Sequence, residues 1–193
     1  RRFDRICEVL LSLGYLQDHQ GELQVSPYGK SLMRIYTDLD LLIAESLRNN
    51  SWVSLDAPSL AAVLSTLAYQ ARKPEGDLSP HIPTAKLREA LAGLSQLANN
   101  LLEVERQHDL AQLRQPDLGL VGAIYEWSRG AELEEVLELC DLAAGDFVRW
   151  VKQIIDLAGQ VAQAAPDQEM RSVCNELITS LRRGVVAYSS MVD

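Results

Sequence analysis

The stretch AGDFVRWVKQIIDLAGQV, Ala144 to Val161, decides the fold class. At about 100° per residue, Phe147, Trp150, Val151, Ile154, Ile155, Leu157, Ala158 and Val161 fall on one side of a helix. Arg149, Lys152, Gln153, Asp156, Gln160 and Gln163 fall on the other, within an arc of about 100°. One face is built to pack. The opposite face is a continuous line of hydrogen-bonding groups, of the kind that touches a strand of nucleic acid. A solvated surface helix has the same two faces, so the surrounding sequence must discriminate.

Outward from this stretch the pattern is helical almost throughout. Toward the C-terminus, Pro166-Asp167 opens a last helix that ends in the Tyr188-Ser189-Ser190 tail. Toward the N-terminus, a short helix over 131–140 precedes it, and another runs from Pro116 to Gly130. Thr84 caps a long helix reaching about Leu113, with Leu87, Leu91, Leu94, Leu97, Leu101, Leu102 and Val104 at a period near 3.6. Arg72 to Pro83, with Pro74, Gly76, Pro80 and Pro83, is the one clear loop. Asp56 caps a helix to about Ala71, with Pro58 in its first turn. Asp38 to Asn49 forms another, closed by Asn49-Asn50.

The N-terminal end differs. Phe3, Ile6, Cys7, Leu10 and Leu13 mark a helix over 1–13. Tyr15-Leu16, a polar turn at Asp18-His19-Gln20-Gly21, and Leu23-Gln24-Val25 predict a short hairpin. Ser26-Pro27 then starts a helix holding Leu32, Met33, Ile35 and Tyr36. Helix, small hairpin, helix is how a winged-helix module finishes. The expectation is an all-α helical bundle over 37–193 preceded by the end of a winged-helix-like domain over 1–36.

Composition narrows the function classes. The chain has 193 residues and a net charge of −9. From Pro116 to Gly145, Arg129 stands against seven carboxylates, a local balance of −6. Phosphate neutralisation supplies most of the affinity of a domain that grips nucleic acid unaided, and such domains are basic. Any strand contact here is therefore confined to a small surface, with other domains doing the main gripping. Cys7, Cys140 and Cys174 lack CxxC spacing, and His19, His81 and His108 are scattered, so neither a disulfide framework nor a metal site is expected. Buried free thiols point to a reducing cytoplasm. No apolar run approaches the roughly 20 residues that span a bilayer. The chain opens on Arg1-Arg2 with no signal peptide, as a fragment of something longer would.

No GxxxxGK[ST] loop, GxGxxG, HExxH or GxSxG motif is present, and no catalytic residues are expected. Glu134, Glu135 and Glu138 form a solvated acidic face. Trp127 and Gly130, in YEWSRG, have two readings: a stacking aromatic beside a backbone turn, or a core tryptophan with a glycine C-cap. The helices over 131–140 and 145–165 have the outline of a helix-turn-helix, with Arg149, Lys152 and Gln153 near the start of the second. The acidic first helix of such a motif would lie beside phosphates and repel them.

Three blocks in order, SPYGKSLMRIYTDLDLLIAESL (26–47), PDLGLVGAIYEWSRGAELEEVL (116–137) and AGDFVRWVKQIIDLAGQV (144–161), resemble the DSHCT domain. That domain is the C-terminal helical region of the Ski-type DExH helicases, superfamily-two ATPases. SLDAPSL (54–60) and the 72–83 loop look closest to the family's actinobacterial branch. The resemblance implies a helical bundle lying across two RecA-like motor domains, with one ratchet helix facing the emerging single strand. The helix over 145–165 takes that place. Arg149 matches a family arginine; Gln153 stands where a basic residue is common, with Lys152 next door; Asp156 retains a family acid. The resemblance thus assigns Arg149, Lys152, Gln153, Asp156 and Gln160 to strand contact. It places ATP and Mg in the motor domains of the full-length protein, not in this fragment. The alternatives are a helical protein-interaction module whose acidic 116–145 block meets a basic partner, and a helix-turn-helix regulator.

Overall fold

The computed structural model describes residues 1–72 and 80–190. Its centre is a helix with no solvent face. Helix α4, Ala57–Ala68, buries every residue from Ser59 to Leu67. Asp56 opens it by accepting the Ser59 amide at 3.1 Å, and Pro58 occupies the first turn, where its missing N–H costs nothing. Apolar residues all round make a helix that other helices must enclose. Of the three hydroxyl residues it takes inside, Ser65 and Thr66 donate to the carbonyls of Ala62 and Val63 at 2.6 Å. Buried polar groups are tolerated when bonded in this way.

The other elements come in chain order. They are α1 (Arg2–Ser12), strands β1 (Leu16–His19) and β2 (Glu22–Val25), α2 (Pro27–Leu32), α3 (Asp40–Arg48) and α5 (Ala85–Gln107). A 3-10 turn (Leu118–Leu120) leads into α6 (Val121–Ser128), then α7 (Leu133–Glu138), α8 (Ala144–Ala164), α9 (Gln168–Leu181) and α10 (Gly184–Ser190). Helices α5, α6, α8 and α9 pack on α4, and α8 lies along α9. Among the described residues the fold is all-α with one short antiparallel sheet. Among the described residues no helix is long and apolar enough to cross a membrane.

Several boundaries follow the capping chemistry written in the sequence. The Ser26 hydroxyl accepts from Gly29, Thr84 from Leu87 and Asp167 from Met170. Helix α6 ends as a Schellman motif: Gly130 takes φ +101°, its N–H reaches the Trp127 carbonyl and that of Ala131 reaches Glu126. In the hairpin, Leu16 pairs with Val25 and His19 with Glu22, leaving Gln20-Gly21 as a two-residue turn with both φ positive. The turn is thus two residues shorter than the sequence implies, and Tyr15 is a buried anchor before the strand.

Other boundaries differ. Helix α2 stops at Leu32 instead of running through Tyr36. The Arg34 and Ile35 amides close back on Ser31 and Leu32, and the Tyr36 amide goes to the Gln160 side chain of α8. Helix α5 ends at Gln107, not Leu113: Asp109 turns left-handed at φ +57°, and the Glu105 carboxylate accepts the Leu113 amide. The segment expected to start a helix at Pro116 is held first by Asp117, whose carboxylate accepts the Gly119 and Ala71 amides. The last helix is two, α9 and α10, because Arg183 turns inward onto Trp127 and Gly184 takes φ +52°. Most of the expected 72–83 loop, Pro74 and Gly76 included, lies outside the described residues.

Candidate nucleic-acid interface

Helix α8 carries the two faces its sequence implies. Phe147, Val151, Ile154, Ile155, Leu157, Ala158 and Val161 are buried against the bundle, and Trp150 meets Tyr69 edge-on at 5.0 Å. On the opposite side Arg149, Gln153, Asp156 and Gln163 are exposed, while Lys152 and Gln160 are half-buried. Packing on α4 and α9 fixes the helix, so the polar groups stand on a rigid support.

The structure divides these residues into two groups. Gln153, Asp156 and Gln160 line a cleft of about 320 Å³, whose other wall is Tyr36, Thr37 and Asp38 and whose floor includes Leu67, Ala68 and Leu157. Arg149 and Lys152 lie outside the cleft, toward the helix N-terminus. Arg149 is 53 % exposed and its Nη2 contacts Asp146 Oδ1 at 2.7 Å, one turn back. The pair is loose enough for a phosphate to compete for the guanidinium, since exposed ion pairs are worth only about 0–1 kcal/mol.

Gln160 has a second occupation. Its Oε1 accepts the Tyr36 amide at 2.8 Å, and one turn on, the Gln163 carbonyl accepts from Arg34 Nη1 at 3.3 Å. These two bonds fasten the α2–α3 connection to α8 and build the cleft wall. Asp38 is clasped by Arg114 Nε at 2.8 Å, and the same guanidinium donates to the Leu67 carbonyl. The sequence reading missed Arg34, Tyr36 and Asp38 because it placed Tyr36 inside an amphipathic helix. The available signal was Thr37-Asp38, a turn-forming pair directly after an aromatic residue.

The remaining candidates resolve plainly. Trp127 is 2 % exposed; its indole N–H donates to the Leu181 carbonyl at 2.9 Å and its ring meets Phe147 edge-on at 5.7 Å. No base can reach it, so the core reading of Trp127 and the C-cap reading of Gly130 hold. Helix α7 is six residues long and exposes Glu134, Glu135 and Glu138. Among the described residues no three His, Cys, Asp or Glu side chains are placed to hold a metal ion. Burial raises the thiol pKa of Cys140 to about 11 and that of Cys174 to about 12, which leaves both as unreactive thiols at neutral pH.

Comparison with known proteins assigns the architecture. A family model described as the DSHCT (NUC185) domain matches residues 22–189. The chain belongs to the DSHCT family. A Mycobacterium leprae protein named Probable helicase HelY is 41 % identical over 197 residues, covering 97 % of this chain and 21 % of that protein. Human Superkiller complex protein 2 is 26 % identical over 192 residues, covering 95 % of this chain and 15 % of that protein. The Arabidopsis thaliana DExH-box ATP-dependent RNA helicase DExH10 is 25 % identical over 190 residues, covering 95 % of this chain and 19 % of that protein. The DSHCT chain thus spans about a fifth or less of the length of these relatives, two of which, the Mycobacterium leprae and Arabidopsis thaliana proteins, carry helicase names.

Proposed function

We propose that this DSHCT domain is an accessory domain of an ATP-dependent helicase, and that α8 braces and guides the unwound single strand. The observation that carries the reading is the division of α8 itself. One face is locked into the core while the other presents Arg149, Lys152, Gln153 and Asp156 along a rigid line beside an open cleft. Arg149 and Lys152 are the phosphate contacts, Gln153 bonds to phosphate or sugar, and Asp156 accepts from base or 2′-OH donors or orients the cations one turn away. Gln160 serves chiefly as the fastening of the cleft wall.

A guide of this kind need not be basic overall. RecA-like motor domains of the same protein would bind ATP and Mg and supply the main grip; no residue of this chain is assigned to either. Residues 1–36 are read as the end of a winged-helix-like domain and 37–193 as the bundle. Excess positive charge on the bundle would hold the strand and slow its release. A second reading has one observation in its favour: the exposed acidic face of α7 suits a basic protein partner.

The test uses the full-length helicase that contains this domain. Arg149→Ala with Lys152→Ala lowers unwinding more than it lowers ATP turnover without nucleic acid. Unchanged unwinding, with loss of binding to a protein partner when Glu134, Glu135 and Glu138 become Gln, supports the second reading instead.

A further inference from the structure

We propose that the cleft between Tyr36 and α8 receives one unpaired base of the guided strand, with the Tyr36 ring as its stacking face and the phosphates outside. This rests on the reading of α8 as a strand guide and adds a base site to it.

Three observations converge. The first is size: about 320 Å³ lies at the lower end of small-molecule pockets, enough for one base and not for a stretch of strand. The second is the exposed aromatic. Tyr36 is 79 % exposed, yet its backbone is pinned by the Gln160 hydrogen bond. A solvent-facing ring on a fixed backbone offers a flat face at little entropic cost, and every base has a π-face to meet it.

The third observation is the order of charge along the groove. Arg149 and Lys152 stand toward one end of α8, and Arg34 is tied to Gln163 near the other. Between them the cleft carries Asp156 and Gln153, together with Asp38, whose charge Arg114 partly offsets at 2.8 Å. Carboxylates repel phosphate oxygens but accept from base N–H groups. The polarity therefore turns a passing nucleotide with its base inward, while its neighbours' phosphates reach the cations at either end. The half-buried floor residue Ala68, on the apolar base formed by Leu67 and Leu157, gives the base edge an apolar seat.

The experiment measures binding of the full-length helicase that contains this domain to two single strands of ten nucleotides, one with bases and one fully abasic, by fluorescence anisotropy. Circular dichroism monitors the fold of each variant. Tyr36→Ala is expected to weaken the base-bearing strand about fivefold or more, the loss of one stack, and to leave the abasic strand unchanged. Tyr36→Phe keeps wild-type affinity. Arg149→Ala with Lys152→Ala weakens both strands alike. If Tyr36→Ala affects neither strand, or both equally, while the double variant weakens both, the base site is refuted and strand guidance stands. If the double variant changes nothing in the full-length helicase, strand guidance and the base site fall together.

Discussion

The hydroxyl of Tyr15 donates to Oε1 of Glu45 at 2.7 Å, joining the residue before the hairpin to the middle of α3. Both side chains are buried. Arg48 completes the cluster, with Nη1 3.6 Å from the same Glu45 oxygen, a hydrogen bond to the Leu13 carbonyl, and its guanidinium 4.0 Å over the Tyr28 ring. The N-terminal module is thus joined to the bundle by a polar, fully engaged seam rather than by apolar contact alone.

Removing one partner from such a seam leaves the other unsatisfied. Tyr15→Phe is expected to lower unfolding free energy by about 1–3 kcal/mol in urea titrations at neutral pH. An unchanged midpoint would show that Glu45 finds another donor.

The same bond makes alkaline stability depend on one phenol. Burial first, and then the Glu45 carboxylate, hold the Tyr15 pKa well above its ordinary 10.0. Its contribution is complete below pH 10, where folded and unfolded chains both keep the proton. Above pH 10 the unfolded chain ionises and the folded one does not, so stability falls by about 1.4 kcal/mol per pH unit from this group. The stability gap between wild type and Tyr15→Phe should therefore shrink between pH 10 and pH 11. A constant gap over that interval would exclude the linkage.

Two glycines should fail for different reasons. A methyl on Gly29 would lie 2.3 Å from the Tyr15 carbonyl oxygen, so Gly29→Ala must displace the hairpin from α2. Nothing lies within 4 Å of a methyl on Gly130, where the cost is the left-handed backbone alone, about 1–2 kcal/mol. Thermal melts should rank Gly29→Ala as the more destabilised, and equal losses would contradict this account.

Arg183 is the structural counterpart of Arg149. Its guanidinium lies 3.6 Å over Trp127 and donates to the carbonyls of Trp127 and Ala131 at 2.7 and 2.6 Å. Arg183→Lys keeps the charge but loses the planar fork. Both Arg183→Lys and Arg183→Ala should lower the melting temperature; full rescue by Lys would reduce the site to simple charge.

On α8 the expected signature is ionic. Each phosphate contact contributes about 0.7 to the logarithmic salt slope for a single strand. Arg149→Ala should flatten the slope by roughly that amount. Asp146→Asn frees the guanidinium from its 2.7 Å partner and should tighten strand binding at low salt. A weaker complex after Asp146→Asn would mean that the acid orients Arg149 for its contact.

The sequence made the helical character and most starting points legible, because caps such as Ser26, Asp56, Thr84 and Asp167 act through local chemistry. The endings were harder to read. The segment after α2 is held where the Tyr36 amide meets Gln160, more than a hundred positions away in the chain, and α9 stops where Arg183 finds Trp127. Local periodicity cannot carry either signal. The same limit applied to the site. The polar line from Arg149 to Gln160 was visible because one helix holds it, whereas Tyr36 and Asp38 join it solely through tertiary folding.

A helix sealed on every side, as α4 is, has a consequence for how the polypeptide comes into being. Helix α4 is fully enclosed only once α5, α6, α8 and α9 have all left the ribosome, so part of its greasy surface stays open until the last of them emerges. A chain cut short before Leu181 would lack part of the α9 face that covers α4, and would be a target for chaperones and proteases rather than a working half.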